Sequence, residues 1–134
     1  MKYNASKVEK IVFGGKPTYS SGGIEPFSHL HPSKLKQLVE EGLVDPDGSQ
    51  NDSPTTQEFL EFGEQFPFVR YIGYAVSPKR PDTRLTIEGI VVSETNVPEE
   101  ALRSFRKAFK KFCHAADELD LPYENYKFYR AWWD

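Results

Sequence analysis

The sequence predicts an α+β fold, a ferredoxin-like sandwich with an antiparallel sheet and helices on one face. Three observations carry this. Apolar residues at helical spacing run through residues 98–121, two aromatic and β-branched stretches flank a proline-rich turn at residues 78–82, and the last twelve residues hold six aromatics. At 134 residues, with 38% hydrophobic and 28% charged content, the chain reads as a single globular domain, 1–134.

Taken in order, Lys7–Phe13 reads as a short strand, because β-branched residues lead into Gly14-Gly15. Residues 14–31 contain four glycines, two prolines and three serines and read as a long irregular loop. A helix is expected from Pro32 to Glu41. Proline suits its first position, Leu35, Leu38 and Val39 form one stripe, and Gly42 can terminate it. After the polar loop 45–53, Ser53 and Pro54 read as the cap and first residue of a second helix with Phe59, Leu60 and Phe66 on its apolar side. Residues 68–77 and 83–93 read as an antiparallel hairpin.

The spacing of Leu102, Phe105, Phe109, Phe112, Ala116 and Leu119 predicts one long amphipathic helix from Pro98 to Leu121, ended by Pro122. The aromatic tail supplies the last strand. The order is therefore βαββαβ, with a first crossover built from two helices.

Composition excludes some functions. The net charge is −3, whereas a general nucleic-acid binder carries a strong basic excess. Eight acidic and no basic residues lie between Glu40 and Glu64, and five basic and no acidic ones between Arg103 and Lys111. Such a dipolar chain presents either two solvated helix faces or complementary docking surfaces. Cys113 is the only cysteine, which rules out an intramolecular disulfide and fits a reducing compartment. The stretch from Met1 to Lys7 has no apolar run of a secretory signal, and no segment is long enough to span a membrane. A cytoplasmic location without membrane contact is expected.

Candidate chemistry is sparse. His29 and His31 form an His-x-His pair, but zinc needs at least one more ligand and no spacing supplies it, so no metal or cofactor is expected. Cys113 and His114 are adjacent on a helix and point about 100° apart, which suits a buried structural thiol better than a nucleophile. The Gly14–Gly23 stretch lacks phosphate-loop spacing. A winged-helix reading would place Glu58, Glu61 and Glu64 against phosphates. An RNA-recognition reading lacks aromatics on residues 84–92.

Aromatics and arginine are enriched at interface hot spots, which nominates Arg70, Tyr71, Tyr74, Arg130, Trp132 and Trp133. The leading expectation is a non-catalytic binding or regulatory domain whose aromatic sheet face meets another protein or a second copy. The alternatives are a small-ligand binder or enzyme using Lys16, His29 or His31 beside loop 14–31, and a winged-helix nucleic-acid binder.

Overall fold

A computed structural model describes residues 3–134; Met1 and Lys2, the start of the stretch read for a signal, lie outside them. Four helices, α1 (Ala5–Phe13), α2 (Pro32–Glu40), α3 (Thr56–Gln65) and α4 (Leu102–Phe112), accompany five strands. The strands are β1 (Ile24–Leu30), β2 (Arg70–Val76), β3 (Leu85–Ser93), β4 (Glu118–Asp120) and β5 (Phe128–Trp132). They form one sheet in the order β1-β2-β3-β5-β4, and every neighbouring pair is antiparallel. The α+β class with an antiparallel sheet holds, but this strand order is not that of a ferredoxin-like sandwich.

The first departure is at residues 7–13, which are helix and not strand. Asn4 caps α1 by accepting the Lys7 N–H at 3.1 Å, and Gly14 closes it at φ 74°. Val8 is buried and Ile11 and Val12 pack on the core, a helical spacing that outweighs β-branched propensity. The first strand comes instead from within residues 14–31. β1 carries Glu25, Pro26, Ser28 and His29, so it shows neither alternation nor strand propensity. Pairing with β2 imposes it, and Pro26 is tolerated because β1 is an edge strand.

The helix pair lies where the spacing predicts, with one shift of cap. α2 has Pro32 in its first turn, and Gly42 follows at φ 68°. α3 is capped by Thr55, not Ser53. The Thr55 hydroxyl accepts the Glu58 N–H at 3.1 Å and Glu58 Oε1 accepts the Thr55 N–H at 2.8 Å, a reciprocal capping box. α4 ends at Phe112, although its apolar spacing continues to Leu119. Residues 118–120 pair with β5 instead, and the Asp117 carboxylate accepts the Asp134 N–H at 2.7 Å.

The helices cover the face of the sheet that carries Tyr71, Ile90 and Tyr129. Tyr71 Oη donates to the Phe59 carbonyl of α3 at 2.6 Å, and the Tyr129 ring meets Phe105 and Phe109 of α4 at 4.9 and 5.5 Å between centroids. α2 packs between α1 and α3. Trp133, Tyr71, Tyr129, Phe59, Phe105 and Phe109 are fully buried between the layers. Burial of each such side chain contributes about 1.5–3 kcal/mol. Gly63 is the one α3 position beneath the Tyr71 hydroxyl, where a Cβ would collide with it.

Candidate functional site

The opposite face of the sheet has no helix over it. Its side chains follow from the register. Arg70 pairs with Val91, Val91 with Arg130, and Arg130 with Asp120. In the next row Ile72 pairs with Gly89, Gly89 with Trp132, and Trp132 with Glu118. Successive residues of a strand point to opposite faces, so both rows lie opposite buried Tyr71, Ile90 and Tyr129. Ile72, Val91 and Trp132 are each partly exposed and form an apolar centre. Phe128 extends it at 43% exposure, with Tyr126 against it at 5.8 Å between centroids.

A β-bulge shapes this face. Ile72 pairs with Gly89 but Gly73 pairs with Ile87, so Glu88 is the extra residue on β3. Inward positions on β3 therefore run Ile87, Ile90, Val92 instead of in strict alternation. Glu88 is partly buried, and that burial raises its pKa, with the nearby Trp132 side chain and Arg130 opposing the shift.

Charge is unevenly spread. On the β4–β5 side Arg130 Nη1 pairs with Glu118 at 2.8 Å and with Asp120 at 3.9 Å, and its guanidinium lies 5.8 Å from the Trp132 ring. Two carboxylates against one guanidinium leave that edge acidic. On the β2 side Arg70 has no carboxylate partner among the described residues. Tyr74 is held in place, its hydroxyl accepting from Gln50 Nε2 at 3.0 Å and Arg84 Nη2 at 3.2 Å.

The nine nominated residues separate into five groups. Arg70, Arg130 and Trp132 share the open face. Tyr74 lies past the bulge, tied through its hydroxyl to Gln50 of the loop between α2 and α3. Tyr71 and Trp133 do not; they are core residues at 0% and 1% exposure, because β2 and β5 alternate and each sends the neighbouring residue outward. His29 and His31 share a cavity with Arg70 beside α2. Lys16 lies apart from them, in a cleft with Arg80 and Pro78. Ile72, Val91, Phe128 and Lys34 were not singled out by sequence; a pairing register would have found the first three.

Other chemistry is poorly supplied. Burial pushes the Cys113 thiol up to about 12, and His114 is exposed with Nδ1 against the Lys111 carbonyl at 3.0 Å. Among the described residues no group of three or more His, Cys, Asp or Glu side chains could hold a metal ion, and no helix is long and apolar enough to cross a membrane. No family model, no curated protein and no solved structure matches the chain.

Proposed function

We propose that the chain is a non-catalytic binding domain that self-associates through the open face of its sheet. One observation carries the reading: Ile72, Val91, Trp132 and Phe128, all at least partly exposed, lie on three neighbouring strands of a face that no helix covers. Exposed apolar strips rimmed by charge mark interfaces.

Edge-to-edge growth is disfavoured at both ends of the sheet. β1 is interrupted by Pro26 and an irregular register between Phe27 and Leu30, and β4 is only three residues long with charged Glu118 and Asp120. Face-to-face contact remains. A second copy fits because the charge is asymmetric. A two-fold axis parallel to β3 would lay the Arg70 side of one copy over the Glu118 and Asp120 side of the other, giving a self-complementary contact. An axis across the strands would oppose like with like.

Light scattering on the purified protein tests this. The expected mass is twice 15.4 kDa, falling to one chain in Trp132→Ala and in Val91→Glu. A monomer at high micromolar concentration, or a dimer indifferent to both substitutions, refutes it.

A further inference from the structure

At the corner where the open face meets the start of α2 lies a cavity of about 540 Å³ whose lining includes His29, His31, Lys34 and Arg70 and no aspartate or glutamate. The four basic side chains come from three elements and their flanks: β1 supplies His29, the residue before α2 is His31, the first turn of α2 supplies Lys34, and β2 begins with Arg70. Neither Lys34 nor Arg70 has a carboxylate within 4.0 Å among the described residues. Arg70 and Lys34 both act electrostatically on His31, a second sign that the cations converge.

From this cluster we infer that the cavity binds a small phosphate monoester through Arg70, Lys34 and His31, with its organic body against Phe13 and Phe27. The donors are available. Arg70 Nη1 donates to the Pro67 and Val69 carbonyls at 3.1 and 2.7 Å, which anchors the guanidinium and leaves Nε and Nη2 to a ligand. His31 Nδ1 accepts the Ser33 N–H at 3.0 Å, so the neutral ring carries its proton on Nε2 and presents it as a donor. The α2 N-terminus contributes little of its own, because the Ser33 N–H is taken by this bond and the Lys34 and Leu35 N–H groups by the His31 carbonyl.

Charge selects the ligand class. Arg70 and Lys34 bring two permanent positive charges, matching the charge of about −1.5 to −2 on a phosphate monoester better than the single charge of a carboxylate. Arginine also offers the fork geometry that phosphate oxygens accept. Phe13 and Phe27 meet edge to face at 6.3 Å and give the cavity an apolar wall, which favours a ring or short aliphatic body over a bare ion.

Titration with phenyl phosphate, inorganic phosphate and benzoate, followed by calorimetry and backbone amide NMR, tests the assignment. Phenyl phosphate should saturate one site, with shifts centred on residues 28–34 and 70, and should bind more tightly than inorganic phosphate or benzoate. Lys34→Gln, at an exposed position, and Arg70→Gln should each weaken it by about tenfold, the scale of one charged hydrogen bond. Trp132→Ala should still saturate the site, at least as tightly as the native chain because a monomer sets no carboxylate against Arg70, which separates this site from self-association. Circular dichroism confirms that each variant is folded. Absence of saturation, native affinity retained in Lys34→Gln or Arg70→Gln, shifts centred elsewhere, or benzoate binding as tightly as phenyl phosphate each overturns the inference.

Discussion

Strand β5 has two faces that differ in what they touch. Tyr129 and, just beyond the strand, Trp133 enter the helical layer, where Trp133 meets Phe59 at 5.6 Å between centroids. Phe128, Arg130 and Trp132 alternate with them on the other side and stay partly wet. Residues of the same type, one position apart, thus take opposite roles. Aromatic content alone marks a strand as important; only its register says whether a given ring builds the core or faces outward.

The sharpest way to break this comparison is to truncate each tryptophan. Trp133→Ala should cost about 3–5 kcal/mol in urea unfolding, as a buried large-to-small change does. Trp132→Ala should cost about 1 kcal/mol or less, its effect falling on association instead. Equal losses would mean that both faces are core.

A smaller effect probes the fit of the covered face. Gly63→Ala puts a methyl group into the Tyr71 hydroxyl and should cost about 1–3 kcal/mol by overpacking. Tyr71→Phe alone should cost about 1 kcal/mol, the worth of its hydrogen bond to Phe59. Combined, they should cost less than their sum, since the second change removes the atom the first collides with. Additive losses would place the strain elsewhere.

The last effect is confined to alkaline solution. The folded state holds the Cys113 thiol protonated up to about 12, against an ordinary value of 9.0. A raised folded pKa gives stability that is complete below pH 9 and lost as pH rises from there through the folded value. Cys113→Ala should therefore decline less steeply above pH 9 than the native chain, compared by urea midpoints.

Where local signals agree with tertiary demands, the fold was legible. Pro32, Gly42 and the leucine stripe place α2; Phe59 and Leu60 place α3; the turn at residues 78–82 joins β2 and β3. It was illegible where pairing overrides propensity. β1 is a strand only because β2 lies beside it, and the helical face of α4 continues in sequence past the point where β4 leaves it. In α1 the β-branched residues suggest a strand, but the Asn4 and Gly14 caps and the helical spacing of Val8, Ile11 and Val12 override them.

The open face of the sheet was half legible for a related reason. A one-residue slip in register exchanges every side chain between faces. Composition could nominate Trp132 with Trp133 and could flag Tyr71, but it could not divide either tryptophan from the other or Tyr71 from Ile72. The bulge at Glu88 compounds this, since alternation carried on from Ile87 would mark Val91 as inward and the bulge turns it outward. Arg70, His29 and His31 were nominated separately; their meeting depends on β1, the strand that sequence did not reveal.

The strand order also sets how fast the molecule can assemble. Only β2–β3 and β4–β5 are joined locally. The β1–β2 pairing closes over both α2 and α3, and the β3–β5 pairing closes over α4 and β4. Loop-closure entropy opposes each long closure before its contacts form. Refolding should accordingly fall on the millisecond-to-second scale of non-local topologies. The two hairpins are then the earliest pieces, and β1, with its poor strand propensity, is the last strand to dock.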